Sequence, residues 1–144
     1  MSFKYLYRDA SNYKLHGEAV FSNTTFITVE EIEKQIRSFL REGEFFIARQ
    51  VNIEESFFDV LDEDDDHPWH EFNLVETTSD PAFDPGNWKE HNHKRDITEF
   101  IADLEHANRT GWDEMNVRVD VAAMQEKQKR ELKQDLESVQ DVLR

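Results

Sequence analysis

The chain has 144 residues, 38% of them hydrophobic, with eleven Phe and a formal net charge of −15. That length and apolar content suffice for one domain with its own core, and the absence of Cys excludes disulfides, thiolate metal sites and cysteine nucleophiles. The opening MSFKYLYRDA has no apolar leader, and no later run approaches the length of a membrane span, so a cytoplasmic protein is expected.

Phe3, Tyr5 and Tyr7 alternate with Lys4, Leu6 and Arg8, which predicts a strand with one aromatic face. DASNYK (9–14) is a polar connection, and HGEAVFS (16–22) is the expected partner strand. Thr28 is a good N-cap with Glu31 three residues on, the pattern of a capping box. The helix it starts has Val29, Ile32, Ile36, Phe39 and Leu40 on one face, with Gly43 as its stop. EFFIARQVNI (44–53) is rich in strand formers without a clean period and is expected to be a buried strand. Residues 54–68 are expected to form a loop or short helix. WHEFNLVET (69–77) follows as a strand that places His70, Phe72 and Leu74 on one face. Two of the three prolines fall in SDPAFDPGNWKEHNHK (79–94), which should be irregular. A second helix near 97–110 would bury Ile97, Phe100, Ile101 and Leu104 and end at Gly111.

MNVRVDV (115–121) alternates strictly and predicts another strand. The remainder is helical by propensity, with a stripe of Leu132, Leu136, Val139 and Leu143 too short for a coiled coil. The expected architecture is therefore α+β: an antiparallel sheet of four to five strands packed with two amphipathic helices, plus a C-terminal helix. Residues 1–121 would form a single domain, and 122–144 a docking or interaction element.

The charge is unevenly placed. From Gln50 to Trp88 there are twelve acids and no Lys or Arg, while the other residues carry 20 acids against 17 bases. Four-fifths of the excess negative charge thus sits in one segment. Nucleic-acid binding needs cations to neutralise phosphate, so direct contact with DNA or RNA is not expected. A partner with a basic surface, a cation, or plain solubility remain.

Within that segment VLDEDDDHPWHEFN (60–73) raises three chemical possibilities. Asp62, Asp64 and Asp66 occupy positions one, three and five of an EF-hand-like loop, but His67 stands where Gly is required and Asn73 where Glu is required. A transition-metal reading takes His67, His70, His91 and His93 as ligands of a metal-dependent hydrolase. Neither His pair has the H-E-x-x-H spacing, and Pro68 disfavours a helix across the first. Nucleotide and acyl-transfer signatures are absent among only four Gly, so no cofactor and no catalytic residue is assigned. The third possibility is an interaction surface. EESFFDVLDEDDD (54–66) holds eight acids, with Phe57, Phe58, Val60 and Leu61 between them. Glu54, Glu55, Asp59, Asp62, Glu63, Asp64, Asp65 and Asp66 would steer a basic partner, and Phe57, Phe58 and Trp69 would anchor it. The same run could equally be a solvated loop over core aromatics.

YRDASNYKLHGEAVFSN (7–23), GEFFIARQV (43–51) and DDHPWHEF (65–72) together resemble a family of small uncharacterised bacterial proteins. The resemblance covers the first half of the chain and does not reach the C-terminal helix. It implies a bacterial or phage origin, a cytoplasmic setting, and a shared scaffold around the DHxWH segment, and it carries over no catalytic or binding residue.

Taken together, these features lead to the expectation of an acidic, non-enzymatic binding protein that restrains or regulates a partner with a basic surface, such as a nuclease or toxin. Immunity proteins and anti-defence inhibitors fit that description by charge and size. The alternatives are the metal-dependent hydrolase above and a homodimeric structural subunit held by the last helix. No membrane association is expected.

Overall fold

A computed structural model describes residues 1–56, 67–87 and 93–114. The chain divides into two compact units, Met1–Trp112 and Asp113–Arg144. The fold described below is that of the first unit. The predicted strand at 115–121, the helix after it, and the boundary at 121/122 lie outside the described residues.

The fold is α+β: a four-stranded antiparallel sheet with two helices. Strand β1 (Ser2–Arg8) is central and pairs with β2 (Lys14–Val20) on one side and β4 (Trp69–Glu76) on the other. Strand β3 (Phe45–Ile47) closes the far edge against β4, giving the order β2-β1-β4-β3. Because side chains alternate along a strand, Phe3, Tyr5 and Tyr7 all point to one face and are buried. Helices α1 (Val29–Phe39) and α2 (Ile97–Thr110) pack on that face through Ile32, Ile36, Phe100 and Leu104. Phe3 is the hub, with Phe21, Phe46, Phe72 and Phe100 rings 4.8–6.4 Å from its own.

The helix boundaries follow local chemistry. Thr28 caps α1, accepting a hydrogen bond from the Glu31 N–H at 3.3 Å. The helix stops at Phe39, four residues before Gly43, because Leu40 returns to extended backbone and the chain turns through Arg41–Phe45. Asp96 begins α2 with a complete capping box, its side chain accepting from the Thr98 N–H while Glu99 reaches back to the Asp96 N–H. Gly111, at φ +99°, ends that helix where the sequence places its end.

Two expected features differ in detail. The strand over 44–53 shortens to three residues, and Ala48–Val51 forms a single 3-10 turn. Its apolar run is buried in both halves, so burial alone does not distinguish strand from turn there. In β4, His70 and Phe72 face the helices, but Leu74 does not. The register shifts between Lys4 and Tyr5, so Leu74 pairs with Lys4 on the outer face and Val75 takes the inner position.

Candidate functional site: the two ends of the acidic segment

Residues 57–66 lie outside the described residues, and with them Phe57, Phe58, Asp59, Asp62, Glu63, Asp64, Asp65 and Asp66. The chain on either side of that stretch is held by the ends of β1 and β4. On the entering side, the Tyr5 hydroxyl donates to the Glu54 carbonyl, and the Ser56 N–H donates to His70 Nε2 at 3.0 Å. On the leaving side, the His67 N–H donates to the Tyr7 hydroxyl at 3.2 Å, and His67 Nε2 lies 2.6 Å from the Arg8 carbonyl. The rings are tilted neighbours: Tyr7 is 5.2 Å from His67 and 5.4 Å from His70, and Tyr5 is 6.0 Å from His70.

The protonation states follow from the bonds. His70 Nε2 accepts from Ser56, so its proton sits on Nδ1 and is donated to the Pro68 carbonyl at 3.2 Å. His67 Nδ1 accepts from the Trp69 N–H at 3.1 Å, so its proton sits on Nε2 and goes to Arg8. Burial is the main cause that pulls His70 down from 6.5 to about 4; the Pro68 bond opposes it and the nearby His67 adds to it. Burial likewise pushes the Tyr5 phenol well above its ordinary value.

Two close approaches make this packing possible. A Cβ on Gly17 would lie 2.4 Å from the Tyr5 ring, so only glycine leaves room for that ring across β2. A Cβ on Gly86 would lie 2.1 Å from the Glu54 nitrogen and 2.5 Å from the Ile53 carbonyl carbon. The Gly86→Ala variant must therefore push two backbones apart at the entry to the acidic segment. It should lose about 1–3 kcal/mol of stability in urea titration. An unchanged midpoint would mean that this contact is loose.

The remaining site residues distribute as follows. Glu54 is exposed and Glu55 half-buried. Burial raises the Glu55 carboxyl, and the Arg49 charge opposes that. Trp69 is half-buried, with the Arg41 guanidinium 5.0 Å over its ring and Trp112 edge-on at 6.2 Å. For the metal reading, His67 and His70 come close together, but each ring nitrogen of both is engaged by backbone. Either would have to break a bond to ligate. His91 is outside the described residues, and among the described residues no three His, Asp or Glu converge as a metal cluster.

Pattern reading missed the group that joins these loops to the core. Arg95 is 2% exposed and reaches four acceptors: Asp84 at 2.7 Å, Asp103 at 2.7 Å, and the carbonyls of Val51 at 2.7 Å and Asn52 at 3.1 Å. Its guanidinium also lies beside the stacked Phe21 and Phe100 rings, 5.4 and 5.1 Å from their centroids. Asp84 is fully buried, and burial pushes its carboxyl up while the Arg95 bond opposes. The base-free window is therefore not uniformly a free negative surface. Glu71 pairs with Arg8 at 2.9 Å, Glu76 with Lys4 at 2.7 Å, and Asp84 with Arg95.

No helix among the described residues is long and apolar enough to cross a membrane. No family model, curated protein or solved structure matches the chain.

Proposed function

We propose that this is an acidic, non-enzymatic binding protein whose segment 54–66 engages a basic surface on a partner protein and restrains or regulates it. A nuclease, a toxin or a nucleic-acid-binding factor presents such a surface. The observation that carries the reading is the concentration of charge. Among the described residues Glu71, Glu76 and Asp84 of the window between Gln50 and Trp88 are paired with Lys or Arg from elsewhere in the fold, and eight of that window's twelve acids fall in the thirteen residues 54–66, which contain no base. Eight clustered carboxylates give a local field that accelerates encounter with a basic protein and weakens as salt screens it.

The fold supports this reading by holding the chain on both sides of that segment. Glu54 and Ser56 are tied to β1 and β4, and so is His67. Anchored ends fix where the segment leaves and rejoins the sheet, and such preorganisation lowers the cost of binding.

The test begins with affinity capture from the native host at low ionic strength, followed by titration of the captured partner. The affinity should fall steeply between about 50 and 200 mM salt, and reversal of Asp62, Asp64, Asp65 and Asp66 to Lys should abolish binding. Binding that survives both the salt and the reversal would place the interface elsewhere and remove the proposal.

A further inference from the structure

Among the described residues the sheet has one long open edge. Strand β2 is its outermost member, and among the described residues nothing pairs with the side of β2 that faces away from β1 between Lys14 and Glu18. The direction of its backbone groups follows from its last residues. Val20 exchanges two hydrogen bonds with Phe83, at 2.9 and 2.8 Å, on the side away from β1. Phe21 turns the other way, donating to the Met1 carbonyl and accepting from the Met1 amino group, both at 2.8 Å. Backbone direction alternates along an antiparallel strand, so Lys14, His16 and Glu18 share the orientation of Val20. Their N–H and C=O groups point outward, away from β1, and their side chains are exposed on the sheet's outer face.

Edge strands of this kind are usually blunted by a charge or a proline that repels a second strand. Here the charges do the reverse. Lys14 and Glu18 stand two residues either side of His16, with opposite signs. We propose that two copies of this chain associate by antiparallel pairing of β2 with β2 about His16. The two-fold axis then sets Lys14 of each copy opposite Glu18 of the other, and His16 opposite His16. Leu15 falls opposite Gly17, beside which the Tyr5 ring of the same copy already lies.

The register is specified from both sides. Centring the axis on Lys14 or on Glu18 would oppose like charges directly, which destabilises a cross-strand pair. Sliding Lys14 against Val20 is blocked because Phe83 already occupies that position. The pairing window ends at the other side where the backbone turns at Asn12, φ +69°. Each opposed pair adds roughly two backbone hydrogen bonds, so the contact is short and its affinity belongs to the weak, reversible class. The surface is built from residues other than 54–66 and 122–144, and the proposal stands whether or not the proposed basic partner exists.

Sedimentation equilibrium of the full chain, from about 10 μM to about 1 mM, tests this directly. The protein should move from monomer to dimer over that range. Lys14→Glu and Glu18→Lys should each weaken the dimer about thirtyfold when alone, because each opposes like charges twice. Mixed in equal amounts the two variants should form a heterodimer of near wild-type affinity, since both charged pairs across the axis then join an acid of one copy to a base of the other. His16→Pro removes an outward N–H without touching the β1 ladder and should give a monomer with an intact sheet. A wild-type chain that stays monomeric at about 1 mM overturns the proposal. So do single variants that dimerise as the wild type does, which would place the contact on another surface.

Discussion

Replacing Arg95 with methionine should cost about 3–5 kcal/mol of folding stability, the range for removing one partner of a buried ion pair. Domains of this size are stabilised by roughly 5–15 kcal/mol in all, so the variant would sit near the edge of folding. The size of the effect comes from what is left behind. Asp84 has no exposure to water and loses its Nε partner, and the Val51 and Asn52 carbonyls lose the donors that fix the turn before Glu54. Asp103, with a side chain 20% exposed, can turn toward solvent and contributes less to the loss. Lysine at this position should recover only part of the stability, because an ammonium cannot span four acceptors lying on three different chain segments. The Arg95→Met/Asp84→Leu double variant should regain most of it, since no buried charge then remains unpaired. Urea unfolding of the three variants at neutral pH provides the measurement. A loss below about 1 kcal/mol for Arg95→Met would mean that water already reaches Asp84 and that the guanidinium is not organising these loops.

How much of this could be read from the chain depends on the range over which each signal acts. The β1 aromatics, the Thr28 cap and the α2 face at Ile97, Phe100, Ile101 and Leu104 are local periodic patterns, and they appear in the structure where the sequence places them. The residue that ends β3 is not local. Phe45–Ile47 pair with Trp69–Glu71, and the 3-10 turn that follows is fixed by its packing against α2. The shift of Leu74 to the outer face likewise exists only through the register with Lys4. Arg95 lies in a stretch, HNHKRDI, that reads as a polar linker, and its partners are 8 to 44 residues away. The available signal was indirect: an Arg immediately before a strong N-cap, Asp96, is carried to the point where α2 meets the sheet.

The candidate site divides along the same line. That His70 shares a face with Phe72 is legible from alternation, but its two hydrogen bonds depend on where Ser56 and Pro68 are brought by the fold. Charge counting locates the acidic segment and overstates its extent. It includes Glu71, Glu76 and Asp84, although each is paired with Arg8, Lys4 or Arg95. Those bases come from β1 and from the start of α2, outside the window in sequence and beside it in space.

The second large effect is a loss of stability on mild acidification. His70 binds its proton at about 4 in the folded chain, against 6.5 when exposed. Above 6.5 the ring is neutral in both states and the contribution is nil. As pH falls below 6.5 the unfolded chain takes up a proton that the folded chain refuses, so stability declines until about pH 4 and then levels off. The full difference corresponds to ~3 kcal/mol. Glu55 and Asp84 act in the opposite direction, because a carboxyl raised by burial makes acidification favour the fold. Asp96 sits well below its ordinary value, since bonds from Thr24, Thr98 and Ser22 outweigh its burial; its contribution is lost only below the His70 interval. The His70 effect is therefore isolated by comparison with His70→Gln, whose amide oxygen can still accept from Ser56 but does not titrate. The variant should be less stable than the wild type near pH 7.5, by about 1–2 kcal/mol for the lost Pro68 bond. Its stability should then change much less than the wild type's between pH 6.5 and 4, so that the two curves converge or cross. Parallel curves from denaturant titrations across that range would show that His70 is not the titrating group. The consequence for function lies lower in pH: the folded chain protonates His70 only near 4, and a proton on Nε2 then removes the acceptor for the Ser56 N–H and releases the entering end of the acidic segment. Partner affinity of the folded wild type should therefore hold across most of that interval and fall only as pH approaches 4, a fall that should be smaller in His70→Gln even though residues 54–66 are identical in both.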